Sequence, residues 1–102
     1  MIIILGSIRL EDAAECERVR HALAARAARS RQDAGNLAYA FAVNVEDPTE
    51  IQLVERWEDE ASLHAHLAIP DPEFNTLLAT ARIRSATVTA YTGSDARVLM
   101  SR

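Results

Sequence analysis

Residues 35–67 read GNLAYAFAVNVEDPTEIQLVERWEDEASLHAHL, and the order of patterns in this stretch decides the fold. From Asn36 to Val45 the side chains alternate. Leu37, Tyr39, Phe41, Val43 and Val45 point one way, and Asn36, Ala38, Ala40, Ala42 and Asn44 the other. A period of two over that length is a strand. Glu46-Asp47-Pro48-Thr49 supplies turn chemistry, since proline cannot donate to a central ladder and Asp and Thr fold back onto nearby backbone. Alternation resumes from Glu50 to Glu58, with Ile51, Leu53, Glu55 and Trp57 set against Gln52, Val54, Arg56 and Glu58. A helix is predicted next, from about Asp59 to Ala68, and Pro70-Asp71-Pro72 stops it.

Working outward, residues 2–9 (IIILGSIR) are a short β-branched run bounded by polar residues, as in a buried strand. Asp12 and Glu15 form a loose capping box ahead of an Ala-rich helix. Ala13, Cys16, Val19, Leu23 and Ala27 give that helix one narrow apolar stripe. Gly35 is expected to end it. Beyond the prolines, Glu73 to Ala81 predicts one or two further helical turns. Arg82 to Thr92, rich in Thr, Val and Tyr, predicts a last strand, followed by a short tail through Val98-Leu99-Met100.

The order β-α-β-β-α-β is the split-βαβ, ferredoxin-like pattern. It predicts an α+β fold: a four-stranded antiparallel sheet with the helices on one face, in a single domain over residues 1–102. Strand two lacks charge on both sides, so the sheet face away from the helices also needs cover. Pairing of two copies into a homodimer would supply it. An interface well above ~1,000 Å² is expected of such a contact.

Composition narrows the function classes. At 49% hydrophobic and 25% charged, the 102 residues are those of a globular domain. The longest apolar run, Met1 to Leu5, is far too short for a bilayer, so no membrane partner is expected. No basic segment or small-residue cleavage site marks a signal peptide, and the expected location is cytoplasmic. Cys16, the one cysteine, rules out an internal disulfide and sits on the apolar stripe as a small hydrophobe. A net charge of −4 argues against nucleic acid. All eleven basic residues are arginine, and Arg18, Arg20, Arg26, Arg29 and Arg31 read as a solvated face of the first helix. Three glycines offer no phosphate loop, and neither flavin nor nicotinamide has an evident binding motif. His64 and His66 would lie about 200° apart on a helix at ~100° per residue, so no metal-ligand cluster is expected.

Glu55 stands in a row with Ile51, Leu53 and Trp57, which puts a carboxylate on an otherwise apolar face. Such a group must be paired or must hold its proton more tightly, and in the second case it can transfer protons. Trp57 either walls a pocket for an aromatic molecule or fills the core beneath the second helix. His66 lies beside Leu63 and Leu67, at the edge facing the sheet, where it is either a pocket base or a satisfied core histidine. His64 and His21 are expected in solvent.

Taken together, Gly35, Leu37 and Tyr39 on the first strand of this stretch, Glu55 and Trp57 ending the second, and Leu63, His66 and Leu67 on the helix resemble the antibiotic biosynthesis monooxygenase family. That resemblance implies a dimeric α+β barrel. It also implies a cofactor-independent monooxygenase acting on a quinol or polyphenol, a small hydrophobic or aromatic substrate. Tyr39 and His66 would be its catalytic residues, and Trp57, Glu55 and Asn36 would bind substrate. Two departures stand out. Asn36 occupies a place where many members have cysteine. After the helix this chain reads Ile69-Pro70-Asp71-Pro72-Glu73-Phe74 where the family commonly has Thr-Pro-His-Phe, so a second histidine is missing. Haem-degrading relatives use an axial histidine from the following helical stretch, and Phe74 to Ala81 has none. The alternatives are a non-catalytic dimeric module that binds a small molecule or serves as a stress-linked accessory, and an isomerase on the same scaffold. The isomerase would need an anion site, with Arg56, Arg82 and Arg84 as its donors.

Overall fold

The computed structural model describes residues 1–102. Its elements are β1 (Ile2–Leu10), α1 (Ala13–Ser30), β2 (Asn36–Asn44), β3 (Asp47–Trp57), α2 (Glu60–Leu67), α3 (Pro72–Thr80) and β4 (Ile83–Thr92). The strands form one antiparallel sheet in the order β2-β3-β1-β4, the ferredoxin-like arrangement expected from the pattern. Each helix starts on an aspartate whose side chain accepts a backbone N–H three residues on. Asp12 takes Glu15, Asp59 takes Ser62 and Asp71 takes Phe74. Each cap satisfies an N–H that the helix itself leaves unpaired.

Register fixes which side chains share the helix-covered face. Tyr39 of β2 lies opposite Glu55 of β3, which in turn lies opposite Ile4 of β1; Phe41 and Gly6 flank Leu53 in the same way. The core under the helices has two parts. Ile2, Ile4, Ala27, Tyr39, Leu53, Trp57 and Leu63 form one, and Leu10, Cys16, Val19, Leu23 and Ile51 the other, with Phe41 packed against both. On the opposite sheet face Leu5, Val54 and Tyr91 remain about half exposed.

The helical turns expected beyond the prolines form α3, begun by Pro72 at its first position. The chain departs from the sequence reading in three places. Strand β3 starts at Asp47, not at Glu50; Pro48 lies past the last β1 pair, Arg9 with Glu50, where no ladder N–H is required. Gly35 does not end α1, which closes at Ser30. Instead Gly35 adopts φ 80° in the turn before β2, and a Cβ there would collide with the Ser62 side chain of α2. Finally, the register slips between Asn36 and Ala38, leaving Leu37 as the extra residue of a bulge and bringing Asn36 opposite Trp57.

Candidate active site

The site lies between the sheet and α1, α2 and α3. Strand β2 places Tyr39 in it, β3 places Glu55, α2 places His66, and α1 contributes Arg26. These four side chains border a cavity of about 230 Å³ whose other walls include Ile8, Phe41, Leu53, Phe74 and Val88. Apolar walls with a few converging polar groups are the usual make-up of a small-molecule site. A larger groove of about 550 Å³ runs along α1 and β2, but its charged rim residues include Glu17 and Arg20, exposed and paired with each other.

Arg26 organises the polar wall. Its Nε donates to the Tyr39 hydroxyl at 3.4 Å, one terminal nitrogen to Asp71 at 3.1 Å, and the other contacts His66 Nε2 at 3.1 Å. The guanidinium also lies over the Phe74 ring, 4.6 Å from its centroid. On the far side of His66, Nδ1 meets Asp33 at 2.7 Å. Arginine has no acceptor, so His66 Nε2 accepts from Arg26 and Nδ1 carries the hydrogen aimed at Asp33. The ring is further clamped by Trp57, whose indole lies 4.6 Å away between centroids.

Burial shapes the proton affinities. Desolvation raises the Tyr39 hydroxyl above its ordinary value, partly offset by the Arg26 hydrogen bond. Desolvation likewise raises Glu55, partly offset by Trp57 Nε1, which donates to Oε1 at 2.9 Å. Asp71 goes the other way. Burial works against its ionisation, but the Phe74 N–H and the guanidinium groups of Arg26 and Arg29 outweigh it and hold it low.

Tyr39, Glu55 and His66, singled out in the sequence, thus meet at one cavity. Trp57 is fully buried behind them and outside the lining, with its ring on His66 and its N–H on Glu55. Asn36 stands apart; its amide donates to the backbone carbonyls of Ala38 and Arg56 across the bulge. His64 is exposed and paired with Glu60. Arg26 corrects the reading of the α1 arginines as a solvated face, since it is only 8% exposed. A signal for it existed: Arg26 falls seven residues after Val19 and three after Leu23, on the buried stripe itself. Asp33 and Asp71 gave no comparable sign. Arg56 pairs with Ile3 near the start of β1, Arg82 and Arg84 lie by Leu10 at its other end, and Arg82 is tied to Glu11 and Glu15, so these three form no shared anion site. No group of three or more His, Cys, Asp and Glu side chains converges as metal ligands, and no helix is long and apolar enough to cross a membrane.

The profile of the antibiotic biosynthesis monooxygenase family matches residues 1–71. The chain belongs to that family. Its fold is similar to that of a candidate antibiotic biosynthesis monooxygenase from Deinococcus radiodurans, at 25% identity and TM-score 0.87, over 99% of this chain and 100% of that one. It is also similar to another candidate member from Nitrosomonas europaea, at 16% identity and TM-score 0.77, over 91% and 98% of the two chains. A variant of SnoaB, a cofactor-independent oxygenase from Streptomyces nogalater, shares 17% identity with a TM-score of 0.71 over 93% of this chain and 94% of its own. No curated protein matches the chain.

Proposed function

We propose that the protein is a cofactor-independent monooxygenase of small quinols or related phenols. The observation that carries this reading is the convergence of Tyr39, Glu55, His66 and Arg26 on one largely apolar cavity in a chain of this family. The apolar walls suit an aromatic ring. The polar groups suit a hydroxyl that must lose its proton before the ring can pass an electron to oxygen. At about 230 Å³ the cavity falls below the ~300 Å³ at the low end of typical small-molecule clefts, which favours a substrate of one or two rings.

The balanced reaction on a simple quinol takes one O2. One oxygen atom enters a ring C–H and the other leaves as water. The four electrons come from the quinol, which ends as a hydroxyquinone. Tyr39 and His66, with Glu55, form the wall that binds and orients the ring, and Trp57 backs them. Asn36 serves the site by holding the β2 bulge. The protein's share of the catalysis is orientation, proton transfer and exclusion of water.

The active form is a homodimer joined through the sheet face that carries Leu5, Val54 and Tyr91. Half-exposed apolar side chains on a face without helices support this. Oxygen uptake with a panel of one-ring and two-ring hydroquinones tests the proposal, on protein whose light-scattering mass is twice the 11.2 kDa of the chain. Uptake above autoxidation is expected, with one atom of labelled oxygen in the product. A folded protein that consumes no oxygen with any of them would contradict it, and a monomer mass would contradict the dimer.

A further inference from the structure

Histidine is the most familiar proton carrier in this wall, yet His66 has no free nitrogen. Nε2 accepts from Arg26 and Nδ1 donates to Asp33, so both ring positions are bound to the chain. A base needs an accessible lone pair. Tyr39 is an acceptor for Arg26 and sits in surroundings that hold its own proton. Glu55 differs from both. Its Oε1 takes the Trp57 N–H, and no donor in the chain reaches Oε2. The sealed side-chain polar atoms that lack a partner are Nε and Nη2 of Arg29. Glu55 Oε2 is not one of them, so it borders open space, and Glu55 lines the cavity.

We propose that Glu55 is the catalytic base of this cavity and that His66 is a positioning residue; the assignment rests on reading the cavity as a phenol site. Glu55 Oε2 takes the hydroxyl proton of the bound phenol. The substrate O–H bond breaks, and its electron pair stays on the substrate oxygen as a phenolate. The negative charge thereby moves from a carboxylate held by one indole to an oxygen that can face Arg26. Only three of the five N–H donors of that guanidinium are engaged by Tyr39, Asp71 and His66. Asp33 and His66 fix the guanidinium from one side, and Asp71 and Phe74 from the other. The groups that face Glu55 are Tyr39 from β2, Trp57 from its own strand, Ile4 from β1, His66 from α2 and Arg26 from α1.

The test uses the full chain with 4-nitrophenol as probe, below the pH at which free probe ionises. Absorbance reports the phenolate, and calorimetry in two buffers of different ionisation enthalpy reports protons exchanged with solvent. Wild type is expected to show the phenolate band with no net proton release, because the proton stays on Glu55. Glu55→Gln keeps the Trp57 hydrogen bond but has no base. It is expected to bind the neutral probe, or to form phenolate only with release of a proton to buffer. His66→Asn should keep the band and the internal transfer, with weaker binding. In quinol turnover Glu55→Gln should lose about 10²–10⁴-fold in kcat, whereas His66→Asn should act mainly on KM. Internal transfer that survives in Glu55→Gln, or a wild type that binds only neutral probe, overturns the assignment and leaves the quinol reading standing. Loss of internal transfer in a folded His66→Asn does the same. If His66→Asn does not fold, the Glu55→Gln arm decides alone. A folded wild type that does not bind the phenol overturns both.

Discussion

Glu15 and Glu55 are both buried glutamates, 0% and 5% exposed, and the chain holds them in opposite ways. Glu15, in the first turn of α1, receives Arg18 at 2.6 and 2.9 Å and the backbone N–H of Arg82 at 2.7 Å, with the Arg82 guanidinium beyond at 3.5 Å. Those donors, Arg18 first, pull its carboxyl down to about 2 against the opposing effect of burial. Glu55 has one neutral donor, the Trp57 indole, and burial pushes it upward. Burial alone therefore does not decide what an inward carboxylate does. The number and charge of its donors do. Glu15 ties α1 to Arg82, the residue just before β4, whereas Glu55 keeps an oxygen for the cavity.

The largest expected change in stability comes from removing the cation on the Glu55 side. Arg26→Ala leaves His66 Nε2 and the Tyr39 hydroxyl without their donor and Asp71 with Arg29 alone. Breaking a buried charge network by removing one partner costs about 3–5 kcal/mol. Because Arg29 still holds Asp71, the lower end, about 3 kcal/mol, is expected in urea unfolding. A loss below about 0.5 kcal/mol, the range of ordinary surface changes, would mean that the network is not an organising element.

A smaller effect separates the two glutamates by pH. Glu15 sits below its ordinary value of 4.5 in the folded chain, so its contribution is fully present above 4.5 and is lost as pH falls toward about 2. Glu15→Gln should lower the melting temperature at neutral pH and flatten the acid side of the stability curve in that window. Glu55 has the opposite sign. Its folded proton affinity is raised, so ionisation costs stability and the folded state gains as pH drops through the raised value. Glu55→Gln should therefore be at least as stable as wild type at neutral pH. Thermal melts from pH 2 to 8 on the two variants check both signs, and a destabilised Glu55→Gln would make Glu55 a structural group like Glu15.

The same contrast explains what the sequence could and could not tell. Strand alternation carried Tyr39, Phe41, Leu53, Glu55 and Trp57 to one face, because a period of two leaves little freedom once the core face is chosen. Its failure at Asn36 comes from the Leu37 bulge, which depends on pairing and not on residue type. His66 was placed by helical spacing against Leu63. Arg26 was hidden by its neighbours, since five arginines between Arg18 and Arg31 look alike until one is read against the apolar stripe. The partners that bind both nitrogens of His66 lie 33 and 40 residues away in the chain, and such distant pairing leaves no local mark. Glu15 read as a capping residue, and Asp12 does cap its N–H, but its clamp on Arg82 spans 67 residues.

The most direct measurement is a titration of the glutamate side-chain carboxyls by carbon-detected NMR on the folded wild-type chain. Glu15 is expected to ionise near 2, and Glu55 to ionise last of the pair, above the ordinary 4.5. A Glu55 that titrates at or below 4.5 would show a carboxylate already satisfied by the protein, and the claim that it is free to take a proton from a bound phenol would fail.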